Sequence, residues 1–150
     1  MLLCFTKKSK QIKLNNLLRS KNITFEDGKV PLSRIHPLYS IEKKFPNKLK
    51  SQTNLILDIY DKLKYTYNQP ITKKILYSLF GCNQPIKLVY LYDEDRFLIV
   101  DGNFRVITLF KLYNLLNKRL PSIECQVAQI QNKELSDKIK KIVPSYQICK

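Results

Sequence analysis

The sequence predicts a single α+β domain, in which a small mixed sheet with a β-hairpin is flanked by helices. Its 150 residues suit one domain, and an apolar fraction of 44% is enough to form a core. Short runs of β-branched and aromatic residues are separated by stretches with helical apolar spacing. This alternation favours a mixed sheet packed against helices.

The N-terminal half is predicted from apolar spacing and from turn residues. The first leucines lie on one helical face behind a lysine run. Asp27-Gly28 favours a turn, since glycine supplies the positive φ that tight turns need. Pro31 restricts the next strand to a sheet edge, because it cannot donate to a ladder. The predicted elements are a helix within residues 1–24, a turn at 25–29, a strand at 30–35, an amphipathic helix at 52–65, and a helix at 72–80 between Pro70 and Gly81.

The C-terminal half contains the hairpin. β-Branched and aromatic residues on both sides of Asp93-Glu94-Asp95 predict two strands, the second apolar enough to be buried on both faces. The predicted elements are strands at 86–92 and 97–100, a break at 101–103, a helix from 106 to 116, a strand at 123–127 and a basic helix at 132–143. We divide the chain into a basic N-terminal helix or arm (1–24), a core (25–130), and a basic C-terminal helix and tail (131–150).

The charge is concentrated at the two ends of the chain. The formal charge is +15, with 12 basic and 3 acidic residues in positions 1–50, 6 and 5 in the middle third, and 9 and 4 in the last. This pattern predicts a nucleic-acid partner, DNA above all, although general solubilisation by lysine is the alternative. The expected contacts are Lys7, Lys8, Lys10, Lys13, Lys43, Lys44, Lys138, Lys140 and Lys141.

The sequence predicts neither a membrane segment nor a metal site built from cysteine and histidine. No apolar run approaches the roughly 18 residues of a spanning helix, and the apolar start is too short for a signal peptide. We therefore expect a cytoplasmic or nuclear protein without a membrane partner. The four cysteines and the single histidine, His36, lack metal-ligand spacing, so neither a zinc site nor paired disulfides are expected.

The junction Asp101-Gly102-Asn103-Phe104-Arg105 joins a buried strand directly to a helix. The first N–H groups of a helix have no partner within it, and the helix dipole places partial positive charge there. Gly102 allows close approach of a ligand, and the Arg105 guanidinium matches phosphate oxygens. Asp101 would orient Arg105 or hold a metal, and Asn103 would cap the helix or contact a ligand. The junction is a candidate phosphate site; a capped turn with a surface arginine is the alternative.

These residues, with Leu109 four positions after Arg105, resemble the G-x-x-R signature of the ParB/sulfiredoxin superfamily. Residues 30–37 resemble the first strand of ParB-like domains, and residues 84–89 resemble their strand before the hairpin. The resemblance covers about residues 29–130. It implies a ParB-like nucleic-acid-binding protein and a site for ATP, ADP or CTP with Mg²⁺. The implied phosphate or nucleotide ligands are Gly102, Asn103, Phe104, Arg105 and Thr108.

The departures from the family pattern narrow the function. Asn103 stands where sulfiredoxin has its catalytic cysteine, so sulfinic acid reduction is not expected. Residues 36–42 lack the second arginine motif of CTP-dependent clamps, and Phe104 replaces a residue that is usually polar. The alternative is a small phosphotransferase, kinase, NTPase or nuclease with Asp101 and Glu42 as catalytic carboxylates. A third hypothesis is an interaction scaffold that has no active site. A homodimer is compatible with each of these functions.

Overall fold

The structure, a computed structural model, describes residues 9–36 and 69–142 together with the isolated positions 54, 57 and 61. These residues form an α+β domain with a five-stranded mixed sheet and four helices, so the predicted α+β class with a mixed sheet is confirmed. The strands are β1 (Glu26–Pro31), β2 (Ile35–His36), β3 (Lys87–Leu91), β4 (Arg96–Asp101) and β5 (Ser122–Ile130). The helices are α1 (Ser9–Ser20), α2 (Lys73–Phe80), α3 (Asn103–Leu115) and α4 (Lys133–Ile142).

The predicted hairpin forms the centre of the sheet. The strand order is β1-β5-β3-β4-β2, in which β1 with β5 and β3 with β4 are antiparallel, and the other two pairs are parallel. Leu98, Ile99 and Val100 are buried, as expected for a strand that is covered on both faces. Pro31 lies in β1 at an edge of this sheet, which also confirms its prediction.

The predicted turn at residues 25–29 is wrong. Asp27 and Gly28 lie inside β1 and pair with Gln126 and Cys125 of β5. Strand pairing overrides the local turn propensity here, because β5, about a hundred positions later in the chain, forms backbone hydrogen bonds with this segment. The predicted strand at 30–35 is also divided, since residues 32–34 form a 3-10 turn between β1 and β2.

The helix ends follow local capping chemistry. Thr72 caps α2 through its side chain, which accepts a hydrogen bond from the Ile75 amide, and Gly81 ends the helix in the left-handed conformation. The predicted helix at 52–65 falls almost entirely outside the described residues. Among the helices that are described, none combines the length and apolarity that a bilayer crossing needs.

The two helices at the ends of the described chain lie together. α1 packs against α4 and against β4, and it buries Leu14 and Leu18. α4 packs against β5 and buries Leu135 and Ile139. The two basic flanks of the sequence, which are more than a hundred positions apart, therefore meet in the fold.

The sequence predicted no paired disulfide, and this prediction is wrong for Cys82. Cys82 is disulfide-bonded. Cysteine spacing along the chain does not reveal such a bond, because the fold and not the sequence sets which thiols meet. Cys125 is a buried free thiol. Burial, followed by the nearby Glu124 carboxylate, raises the pKa of Cys125 to about 11.

Candidate functional site

The candidate phosphate site begins where β4 ends and α3 starts. Asp101 is the last residue of β4, and Gly102 is the N-cap of α3 with φ 97° and ψ 21°. The left-handed conformation suits glycine because it has no Cβ. The Val106 amide donates to the Gly102 carbonyl at 3.1 Å and closes the first turn. The N-cap residue provides no side-chain hydrogen bond to this helix start.

Gly102 is enclosed by its neighbours. A Cβ atom at this position would lie 2.8 Å from Ile86 Cγ1 and 3.1 Å from Arg105 Nη2. Ile86 belongs to the segment that leads into β3. Because Gly102 has no side chain, this segment packs closely against the start of α3. The sequence suggested a different reason for glycine here, the close approach of a ligand.

Arg105 is buried and is not the surface charge of the alternative interpretation. Its exposed fraction is 3%, and Nη1 donates to the Gln84 carbonyl at 2.6 Å. This bond ties the start of α3 to the segment that also carries Ile86. Burial lowers the pKa of Arg105, and the charge of the nearby Asp101 acts in the opposite direction. Arginine pKa values lie so high that the guanidinium stays charged.

The other predicted ligands of the corner are also buried. Asn103 and Phe104 lie in the first turn of α3 with little exposed surface. Thr108 is fully buried, and its hydroxyl donates to the Phe104 carbonyl at 2.7 Å. We therefore place Thr108 outside the candidate site, because its hydroxyl is engaged within the helix. The structure brings together Asp101, Gly102 and Arg105.

A small cleft lies along the segment that Arg105 holds. Its volume is about 170 Å³, below the roughly 300–1,000 Å³ that is typical of small-molecule sites. The cleft has room for a group of phosphate size and is too small for a whole nucleotide. Its lining consists of Lys73, Leu76, Cys82, Asn83, Gln84, Pro85, Ile86, Glu124 and Gln126.

Sequence reasoning missed the charged residues of this cleft. A Glu124 carboxylate oxygen accepts a hydrogen bond from the Lys73 amide at 2.9 Å, and Lys73 Nζ lies 3.2 Å from an Asp27 carboxylate oxygen. These contacts join β1, β5 and α2, which lie far apart in the sequence. No local pattern marks them, so only strand pairing could have revealed them.

The predicted nucleic-acid contacts fall into four groups, the last of which is Lys140 alone. Lys13, Lys138 and Lys141 are exposed on α1 and α4, and Lys138 pairs with Glu134 at 3.5 Å within its helix. Lys10 lies in α1, but its side chain is not described. Lys7, Lys8, Lys43, Lys44 and the candidate base Glu42 lie outside the described residues.

Lys140 differs from the other lysines because carboxylates surround it. Its ammonium lies 2.8 Å from Asp93, 3.7 Å from Glu94 and 3.6 Å from Asp137. The hydrogen bond to Asp93 is the main reason that the pKa of Lys140 is raised. We assign Lys140 to the anchoring of α4 on the hairpin, and not to ligand contact.

No protein-family model, curated protein or solved structure matches the chain. The likeness to ParB-like domains therefore stays a resemblance in the motifs quoted above. Within residues 9–36 and 69–142 and the three isolated positions, no three His, Cys, Asp or Glu side chains are grouped as a metal site.

Proposed function

We propose that the protein binds nucleic acid, DNA above all, across a basic surface formed by α1 and α4. The packing of these two helices against each other is the observation that carries the proposal. α1 contains three basic and no acidic residues, and α4 contains four basic and two acidic residues. We name this surface the two-helix basic surface; its exposed ammonium groups include Lys13, Lys138 and Lys141.

Phosphate binding to this surface follows from simple electrostatics. Ammonium groups in water attract the closely spaced phosphates of nucleic acid, and each contact releases condensed counterions. The logarithm of the binding constant should then fall linearly with the logarithm of the salt concentration. The expected slope is about −0.9 for each duplex phosphate that is contacted.

The Gly102–Arg105 corner has a supporting role in this proposal. As the resemblance to ParB-like domains implies, we assign it contact with a single backbone phosphate near the start of α3. The bond from Arg105 to Gln84 uses one of five guanidinium N–H groups, and a phosphate could accept from others.

Fluorescence anisotropy with a labelled DNA duplex tests the basic surface. We expect affinity to fall steeply between about 50 and 200 mM salt. Reversing two charges, with Lys13→Glu and Lys141→Glu together, should weaken binding by at least about tenfold and make the salt slope shallower by about two contacts. Both side chains are exposed, so the substitutions should leave the fold intact.

The matched control changes the net charge by the same amount elsewhere. Lys29 on β1 and Lys74 on α2 are also exposed, and the variant with Lys29→Glu and Lys74→Glu should keep most of the affinity. Equal losses in both double variants would contradict the two-helix basic surface. An affinity that does not change with salt would contradict nucleic-acid binding itself.

The alternative function is a nucleotide-dependent phosphotransferase or a nuclease at the same corner. The proximity of Asp101 to Arg105 favours it, because a carboxylate beside a phosphate-binding cation can orient it or hold a divalent ion. Calorimetric titration with ATP, ADP and CTP, with and without Mg²⁺, separates this alternative from simple binding. Saturable heat that is lost in Asp101→Asn would favour the enzyme.

A further inference from the structure

Three aromatic rings cluster at the end of the β3–β4 hairpin, where Tyr92 is exposed and Tyr90 and Phe97 are half-buried. Tyr90 and Phe97 are cross-strand partners with ring centroids 4.8 Å apart, and the Tyr90 and Tyr92 centroids are 4.9 Å apart at 76°. Tyr92 is 49% exposed. We call Tyr90, Tyr92 and Phe97 the aromatic platform.

Polar contacts hold the platform in place at the surface. The Tyr90 hydroxyl donates to an Asp95 carboxylate oxygen, and Arg34 Nη2 lies 2.8 Å from the same oxygen. The Arg34 guanidinium also lies over the Phe97 ring, 5.1 Å from its centroid. Tyr90 and Phe97 are therefore held by these contacts, and Tyr92 packs edge-on against Tyr90. Rings that are already positioned lower the entropic cost of stacking a ligand.

The carboxylates of the acidic turn next to the platform are paired with cations. Each turn carboxylate has a cation nearby: Lys140 lies 2.8 Å from Asp93 and 3.7 Å from Glu94, and Arg34 pairs with Asp95. Lys133 also lies 4.0 Å from Asp93, and its side chain is 75% exposed. Lys140, Lys133 and Arg34 therefore pair with the turn carboxylates, and the two lysines also face Asp137, which lies 3.8 Å from Lys133 and 3.6 Å from Lys140. Lys133 is the most exposed of these three cations.

We propose that the aromatic platform binds single-stranded nucleic acid by stacking an unpaired base on Tyr92. Tyr90 and Phe97 position that ring, and Arg34 and Lys133 lie beside the phosphates of the same strand. Every base has an aromatic face, so this contact is independent of sequence. The inference rests on the proposed nucleic-acid binding and adds a substrate class, since the bases of an intact duplex are already stacked on one another.

Anisotropy with labelled oligothymidylate, oligouridylate and a DNA duplex tests the platform. Tyr92→Ala should weaken binding of one or both single strands by about tenfold, the lower part of the range for one stacked base, and leave duplex affinity unchanged. Tyr92→Phe should keep the wild-type affinity, because it keeps the ring. Tyr77→Ala on α2 is the matched control: it removes a tyrosine that is 55% exposed and lies outside the platform.

A second measurement does not depend on the alanine variant. The chain has no tryptophan, so Tyr92→Trp introduces a single fluorescent reporter on the platform. Stacking should quench its emission when the single strand is added, and the duplex should leave it unchanged.

The outcomes separate this inference from the proposed function. Salt-dependent duplex binding together with unchanged single-strand affinity in Tyr92→Ala would overturn the platform and leave the two-helix basic surface standing. The same single-strand result is expected if a protein partner occupies the platform, so it also counts against the inference. Failure of every nucleic acid to bind the wild type would overturn both proposals.

Discussion

Gly102 shows how one residue position is fixed by two separate requirements. Its φ of 97° lies in the left-handed region, and a Cβ would meet Ile86 Cγ1 at 2.8 Å. The first requirement is a backbone conformation that favours glycine, and the second is the space that the Ile86 side chain occupies. Both concern the strand-to-helix junction that also positions Arg105.

Gly102→Ala should destabilise the protein by about 2–5 kcal/mol. The left-handed backbone costs an L-residue roughly 1–2 kcal/mol, and overpacking against Ile86 adds about 1–3 kcal/mol. Urea unfolding followed by circular dichroism measures the change in the free energy of unfolding. Gly28→Ala is the control, because its Cβ would meet Val127 at an ordinary 3.7 Å. A loss as large in the control would contradict this explanation.

Arg105 is the residue for which burial changed the interpretation most. Its type and its place after Gly102 suggest a phosphate ligand, whereas the structure shows a guanidinium bonded to the Gln84 carbonyl. The two roles are compatible only if a ligand uses the remaining N–H groups. Sequence spacing could not reveal the bond, since Gln84 lies 21 positions earlier in the chain.

Among the contacts between elements, two hydrogen bonds to Asp93 attach α4 to the β3–β4 hairpin. Asp93 accepts hydrogen bonds from the Ser136 hydroxyl and the Lys140 ammonium at 2.7 and 2.8 Å. The Lys140 bond is the main reason that the pKa of Asp93 is lowered, followed by the bond from Ser136. Because α4 also contributes to the two-helix basic surface, this attachment helps to orient that surface.

The lowered pKa of Asp93 predicts a loss of stability in acid. The folded protein binds this proton less readily than the unfolded chain, so the contribution is complete above the ordinary pKa of about 3.9. It is lost as the pH falls through the lower pKa of the folded state. Asp93→Asn should cost about 1–3 kcal/mol at neutral pH and should flatten the dependence of unfolding free energy on pH in acid.

Urea unfolding at several pH values between about 7 and 2 measures this effect. Glu134→Gln is the control, because its carboxylate forms only an exposed pair with Lys138 at 3.5 Å and should contribute less than about 1 kcal/mol. Identical pH profiles for wild type and Asp93→Asn would contradict the assigned role of Asp93.

The whole molecule carries more positive charge than its ion pairs balance. A formal charge of +15 on 150 residues produces repulsion within the folded state, which salt screens. The described ion pairs are mostly exposed, and such pairs contribute only about 0–1 kcal/mol each. Screening of the net repulsion should therefore outweigh the screening of these attractions.

Raising sodium chloride from about 0.05 to about 0.5 M should increase the Tm by a few degrees, which is about 1 kcal/mol for a chain of this size. Thermal unfolding by circular dichroism measures the shift. The variant with Lys29→Glu and Lys74→Glu has a formal charge lower by four and should show a smaller increase. A Tm that falls with salt would contradict dominant self-repulsion.

The elements that depend mainly on neighbouring residues could be predicted from the sequence. Pro70 and Gly81 at its two ends predicted α2, the runs around Asp93-Glu94-Asp95 predicted the hairpin, and the alternation of strand-like and helix-like segments predicted the α+β class. Turn propensity failed at Asp27-Gly28, because pairing with β5 competes with it there. Local free energies decide an element only where no distant partner outweighs them.

The contacts between residues that lie far apart in the sequence are visible only in the folded structure. The sequence placed basic residues at both ends of the chain, and the fold packs α1 against α4. The sequence predicted Lys140 as a ligand contact, and the fold surrounds it with carboxylates, Asp93 being 47 positions away. Burial and charge pairing depend on distances in space. These distances follow from the complete fold, so local sequence patterns do not reveal them.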